Sequence, residues 1–318
     1  MTKLMTWVVR LIFLWLLIGL TPLVRVLPGY GPKPDPAEQV AAAPRSGFNN
    51  PFGPDPALWL VEDPDSRIYL FGTVHVLRPE LEWMTPKVAR ALSESGSLWV
   101  ETRLDDPAQN VQLVLDTYGR EPSGSLTSRL TAEEKAQVLA VVHGLGISQS
   151  DIEPLRPWLA SFLISQVALE QTGYTPAAGV ETVLERAASL RNIPVRELES
   201  SEQHFRFLAD LPPEIEKQML LETVTSGEAT TAGVDRIAAR WARGDLKPLD
   251  QDMARMKTEA PELYDVLIAE RNTNWAAQIS SLMAGSGVHF IAVGAGHLSG
   301  PDSLQAMLEA RGYEVRRK

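Results

Sequence analysis

The chain has 318 residues, 44% of them apolar, with a formal net charge of −10. That is apolar material for a large core in one or two domains, and the acidic balance excludes nonspecific nucleic-acid binding, which needs a basic surface. Cysteine is absent, which removes disulfides, thiolate metal sites, a cysteine nucleophile and a lipidated cysteine.

At the amino end, Lys3 and Arg10 precede an apolar run from Leu11 to Leu20, and Thr21 to Val24 extend it before Arg25. The uninterrupted stretch of about fourteen residues is shorter than the ~20 of a spanning helix, and snorkelling by Arg10 and Arg25 lengthens its effective span. No small-x-small cleavage site follows closely; the nearest candidate is Ala41-Ala42-Ala43. Residues 1–27 therefore read as a signal anchor or signal peptide. The positive end predicts that the tip stays in the cytoplasm and the rest is exported. The expected location is the cell membrane, with the domain outside the cytoplasm, or the periplasm or exterior if the segment is cleaved. Residues 28–57 hold Pro28, Pro32, Pro34, Pro36, Pro44, Pro51, Pro54 and Pro56, a composition that reads as an extended linker. The folded domain is expected over 58–318.

Leu58 to Glu62 and Arg67 to Phe71 read as strands joined by the turn signal Asp63-Pro64-Asp65-Ser66. Gly72-Thr73-Val74-His75 follows. Pro86 opens a helix over Lys87 to Ser95, and Ser97 to Val100 reads as a strand ending at Glu101. The middle is helical: Thr131 to Glu134 is a capping box ahead of Lys135 to His143, Pro157 to Gln171 and Val180 to Leu190 carry helical spacing, and Ile193 to Leu198 reads as a strand. Four or five helices are expected between Ser201 and Leu267, then a long one over Glu270 to Ala284. The chain closes with strand His289 to Val293, the sequence Gly294-Ala295-Gly296-His297, helix Pro301 to Ala310 and strand Tyr313 to Arg316. The expected fold class is α/β: a small mixed sheet formed by amino- and carboxyl-terminal β-α-β units, with a large α-helical insertion.

The two Gly-x-x-His sequences each close an apolar strand, and they use two of only five histidines. Glycine lets the chain turn and approach a ligand closely, and a histidine three residues on lies at the carboxyl edge of the sheet, where open α/β folds bind ligands. Neutral imidazole ligates late first-row metals and also serves as a base. His75 and His297 are the leading candidates on that ground. Glu101 ends the neighbouring strand and is placed to complete a metal shell or act as base on water. Glu181, in the first turn of a helix, is a further candidate ligand, balanced against simple stabilisation by the helix dipole, and Glu199 is a weaker one. Arg271 is placed to hold a substrate carboxylate or an oxyanion, or to form a salt bridge. His143, His204 and His289 read as structural and the tryptophans as core. Gly-x-Ser-x-Gly, His-Glu-x-x-His, phosphate-loop and dinucleotide signatures are all missing.

The ordered blocks Tyr69 to His75, Leu98 to Glu101, Gly173-Tyr174, Gly179-Val180-Glu181, Leu198 to Gln203, Arg271-Asn272, Val293 to Leu298 and Arg311-Gly312-Tyr313 resemble the TraB/GumN family, whose relatives include the Tiki metalloproteases. Two blocks depart from its pattern, with Glu181 where Asp is frequent and Leu198-Glu199-Ser200 where Leu-Glu-Thr is usual. The resemblance implies both Gly-x-x-His motifs at one site and a divalent-metal-dependent hydrolase acting on peptides. The resulting expectation is an exported or membrane-tethered hydrolase with a peptide or small-molecule substrate. His75, His297, Glu101 and Glu181 are its metal ligands (Mn, Co, Zn or Fe), and His75, Glu101, His297 and Arg271 are its catalytic groups. A noncatalytic haem-, metal- or peptide-binding protein of the same fold stays open, as does a metal-free esterase-like hydrolase.

Overall fold

The computed structural model describes residues 55–103, 115–225 and 227–318. The expected amino-terminal segment and most of the linker lie outside these residues. Among the described residues no helix is long and apolar enough to cross a membrane. The chain divides into two compact units, one made of residues 115–174 and 200–234 and the other of 55–103, 175–199 and 235–318.

The second unit is built on a six-stranded mixed sheet. Its strands are β1 (Leu58–Glu62), β2 (Ser66–Thr73), β3 (Ser97–Val100), β4 (Val195–Glu197), β5 (Gly287–Gly294) and β6 (Val315–Arg317), in the order β4-β3-β5-β2-β1-β6. Asp63 Oδ1 accepts from the amides of Asp65 (3.2 Å) and Ser66 (2.7 Å) and so closes the β1–β2 hairpin turn. β1 pairs antiparallel with β2 and β6, whereas β2–β5, β5–β3 and β3–β4 are parallel. The strand-helix-strand unit made of β2, the helix Pro86–Glu94 and β3 therefore leaves a gap between its strands, and β5 fills it. Parallel strands are covered on both faces and so read as near-continuous apolar runs, as Phe290 to Val293 do, all fully buried.

Helices of this unit are α1 (Pro86–Glu94), capped by Thr85, and, after the helices of the first unit, α5 (Val180–Ser189), α9 (Lys247–Glu259), α10 (Pro261–Tyr264), α11 (Glu270–Met283) and α12 (Leu304–Glu309). Ile68, Leu70, Ile291 and Val293 send alternate side chains to one face, where they pack with Trp275, Ile279 and Met283 of α11 and with Leu304 and Leu308 of α12. Phe71 faces the other way, its ring 5.8 Å from Trp83 and 6.1 Å from Trp241. Trp241 also donates from Nε1 to the Gly72 carbonyl at 2.8 Å.

The first unit is helical, with α2 (Ala132–Gly144), α3 (Gln149–Ile152), α4 (Pro157–Gln171), α6 (Ser201–Ala209) and α7 (Pro213–Thr225). The Thr131–Glu134 capping box forms. α4 is buried along most of its length, and its Ser161 hydroxyl bonds Thr223 of α7 at 2.8 Å. Arg156 reaches Glu216 and the Ala209 carbonyl. Burial pushes the Glu216 carboxyl up, against the pull of Arg156. α8 (Gly227–Ala242) carries Trp241.

Of the boundaries that differ from the sequence reading, two have a clear local cause. The strand expected from Ile193 begins at Val195, because the turn that follows α5 holds Asn192 at φ 55° and returns the Ile193 amide to the Ala188 carbonyl. The helix expected from Pro301 begins at Leu304, because Ser303 is its cap and accepts from the Ala306 amide.

Segment 175–180 is stitched to the chain after β2: Thr175 and Leu77 exchange backbone hydrogen bonds, and the Val180 amide donates to the Val74 carbonyl at 3.0 Å. A Cβ on Gly179 would lie 2.1 Å from the His75 carbonyl oxygen. Gly179→Ala is therefore expected to lower stability by about 1–3 kcal/mol. Gly144→Ala, where a Cβ meets nothing within 4 Å, is expected to be neutral or mildly stabilising. Urea midpoints at unchanged slope would check the pair.

Candidate functional site

Three adjacent parallel strands end side by side, and each delivers one group to the same edge. β2 ends in Thr73 and leads to His75, β5 ends in Gly294 and leads to His297, and β3 leads directly to Glu101. Register sets Thr73 against Gly294 and Val100 against Ala292. His75, Glu101 and His297 are all buried.

Gly294 is the meeting point. A Cβ there would stand 3.1 Å from Glu101 Oε1, 3.7 Å from His297 Cδ2 and 3.7 Å from His75 Nε2. Both rings and the carboxylate thus border one glycine, in a cradle that an ordinary side chain would fill. Gly72 is constrained differently, since its Cβ would come within 3.0 Å of the Ala295 Cβ. The Gly294 amide donates to Glu101 Oε1 at 2.6 Å.

Arg271, in the first turn of α11, lies at the centre of the buried charge. Its Nε and Nη2 donate to Glu199 at 3.1 and 2.6 Å, and Nη2 also donates to Glu101 Oε2 at 2.6 Å. Nη1 is 3.0 Å from His297 Nε2 and 3.4 Å from the Leu267 carbonyl. All five guanidinium N–H groups are thereby engaged. Burial pushes Arg271 down, but the charges and hydrogen bonds of Glu101 and Glu199 outweigh it and hold the guanidinium above its usual value. Its carbon lies 4.6 Å from the Trp275 ring centroid, and Trp275 is 4.5 Å from the His297 ring. Asn272 holds His297 from the other side, with Oδ1 2.8 Å from Nδ1. Glu199 is brought in by β4, its amide donating to the Glu101 carbonyl at 2.9 Å.

His75 is in a different state. Its Nδ1 lies 2.6 Å from Glu181 Oε1, yet neither Glu181 oxygen has an aligned hydrogen-bond donor and His75 Nε2 has no partner. The close approach is thus a contact without hydrogen-bond alignment. Thr73 Oγ1 and Thr102 Oγ1, at the ends of β2 and β3, are also buried without a partner. Buried polar atoms are nearly always satisfied, so four side chains with orphaned atoms near one sheet edge suit a ligand that supplies the missing interactions.

The structure brings His75, Glu101, His297 and Arg271 to this edge and sets Glu181 against His75. Glu101 is buried. Arg271 forms the salt bridge that was one of its two expected roles, with Glu101 and Glu199 as its partners. Asn272 went unremarked as a site residue, although it adjoins Arg271 in a quoted block, and Trp275 was read as core only. An Arg-Asn pair in the first turn of a helix, with Trp four positions after Arg, is the signal that could have exposed both. Among the other histidines, His289 Nδ1 lies 2.8 Å from Ser97 Oγ, and burial together with Arg196 lowers its pKa. His143 ends α2 as expected. His204 is buried in the first unit on α6.

The chain belongs to the TraB/PrgY/gumN family, whose model matches residues 57–317. It is similar to the uncharacterised protein YbaP of Escherichia coli strain K12, at 24% identity over 256 residues, 80% of this chain and 92% of the relative. YbaP of Shigella flexneri matches to the same extent. An uncharacterised protein of Treponema pallidum strain Nichols is 21% identical over 269 residues, 80% of each chain. No solved structure gives a significant match.

Removing the guanidinium leaves two buried carboxylates facing each other without it. Arg271→Met is expected to cost about 3–5 kcal/mol in unfolding free energy. Glu199→Gln, which keeps acceptor capacity and leaves Glu101 to balance the charge, is expected to cost less. Calorimetric or urea unfolding of both variants checks the order.

Proposed function

We propose that the chain is a metal-dependent hydrolase of peptide-like substrates, working at the shared edge of β3, β5 and β2. The observation that carries this reading is the open, buried Nε2 of His75 beside Gly294, with Glu101 and His297 bordering the same glycine. The donor set fits a divalent ion: imidazole and carboxylate suit Mn, Co, Zn or Fe. Glu101, Glu181 and Glu199 outnumber the one guanidinium among them, so a cation relieves negative charge whenever both imidazoles are neutral.

His75 would offer Nε2, and Glu101 would offer Oε1. Glu181 faces the other ring nitrogen of His75, so it orients that ring more readily than it shares an ion with Nε2. His297 would become a ligand when its Nε2 is released from Arg271. A bound ion of this kind lowers the pKa of its water and polarises a scissile carbonyl. Where Glu101 does not hold the ion, its carboxylate, fixed by Arg271 and the Gly294 amide, is placed to take the proton of an attacking water. Arg271 has every N–H engaged, so it acts on a developing oxyanion through its charge or by giving up one bond. The peptide-like substrate class rests on the family resemblance. The amino-terminal signature 1–27 supports a domain held outside the cytoplasm.

Metal analysis of the full chain as isolated, with titration of Mn, Co, Zn and Fe(II), tests the reading. One of these metals should bind stoichiometrically, with His75→Ala abolishing the binding and His297→Ala weakening it. Peptide hydrolysis should stop on chelation and return with the same metal. Equal binding by all three proteins would overturn the metal site, and stoichiometric metal with no turnover of peptides or esters would leave a binding protein.

A further inference from the structure

The environment of His297 defines which of its nitrogens carries the proton, and two independent contacts give the same answer. Asn272 is fully buried. Its Nδ2 donates to the backbone carbonyls of His297 (3.1 Å) and Asp302 (2.7 Å). Both amide hydrogens are thus used on acceptors that cannot donate, which fixes the amide orientation and leaves Oδ1 as an acceptor only. The atom facing Oδ1 is His297 Nδ1, at 2.8 Å, so Nδ1 must hold the hydrogen. On the opposite side, Arg271 Nη1 stands 3.0 Å from His297 Nε2. A guanidinium has no acceptor, so Nε2 must present its lone pair.

We propose that Asn272 is a positioning residue that fixes His297 as the Nδ1–H tautomer, directing the Nε2 lone pair toward Arg271 and Glu101. In this state Arg271 occupies the Nε2 lone pair that a divalent cation would need. The assignment deepens the metal reading, and its consequence for metal affinity rests on that reading; the tautomer itself does not. Ligating histidines are generally oriented by an acceptor on their other ring nitrogen, and loss of such a partner weakens metal binding roughly 10–100-fold. An amide acceptor also supplies this orientation without adding a further negative charge to a region that already holds three carboxylates.

Nitrogen-15 spectroscopy of the histidine rings in the full chain, without metal, decides the tautomer. The His297 signals are assigned by their loss in His297→Gln. The expected result is a protonated Nδ1 with a slowly exchanging proton and an unprotonated Nε2. Asn272→Leu, nearly isosteric and without an acceptor, should speed exchange of that proton and weaken binding of the metal found in the wild type roughly 10–100-fold. Asn272→Asp keeps an acceptor facing Nδ1 while losing both bonds to the carbonyls of His297 and Asp302, so its ring proton should exchange more slowly than in Asn272→Leu although the protein is less stable. A wild-type ring protonated at Nε2 overturns the proposal even if Asn272→Leu fails to fold. So does an Asn272→Leu protein with unchanged proton exchange and unchanged affinity. Absence of metal binding in every protein sinks the metal reading alone, because the spectrum of the wild type still decides the tautomer.

Discussion

The site exists because β5 pairs in parallel between β2 and β3. Those two strands follow one another in sequence through α1, yet they do not touch. The strand that separates them arrives almost 200 residues later, after the helical insertion. Parallel strands side by side point all their carboxyl ends the same way, so whatever follows each strand is delivered to one edge. Glycine at the end of β5 then keeps that edge shallow enough for His75, Glu101 and His297 to crowd around a single backbone atom. Had β5 paired antiparallel, its Gly-x-x-His would lie at the far end of the sheet from His75.

Charge imposes the second condition. Glu101 and Glu199 are buried beside one another, an arrangement too costly to persist without compensation. Arg271 supplies it, with a two-pronged contact to Glu199, one bond to Glu101 and a stacked position on Trp275. α11 is anchored to the sheet by Trp275, Ile279 and Met283, so the guanidinium is carried by a rigid element and not by a loop. Stability and the proposed chemistry draw on the same contacts. The arginine that makes the buried carboxylates tolerable also holds Glu101 in place and occupies His297.

How much of this was legible in the residues depends on the range of the interaction involved. Strands, helix caps and the α/β architecture follow from local pattern: the Thr131 capping box, Pro at the start of α1 and α4, and apolar runs in β2 and β5 all formed where expected. Convergence of His75 and His297 was legible because both follow a strand in the same four-residue pattern. The partners of Arg271 were not, because no periodicity relates α11 to the ends of β3 and β4. Asn272 was hidden for another reason. Its role depends on three contacts supplied by folding, two of them to backbone carbonyls that no side-chain pattern records.

The two Gly-x-x-His motifs look equivalent on paper and are not equivalent in space. His75 has a carboxylate at Nδ1 and nothing at Nε2, and its backbone carbonyl lies against Gly179. His297 has an amide at Nδ1 and a guanidinium at Nε2. In the proposed reading a ligand would meet His75 Nε2 without a protein competitor, whereas His297 and Glu101 are both held by Arg271. The asymmetry arises from neighbours contributed by α5 and α11, so identical short motifs take up different tasks according to the helix each strand end meets.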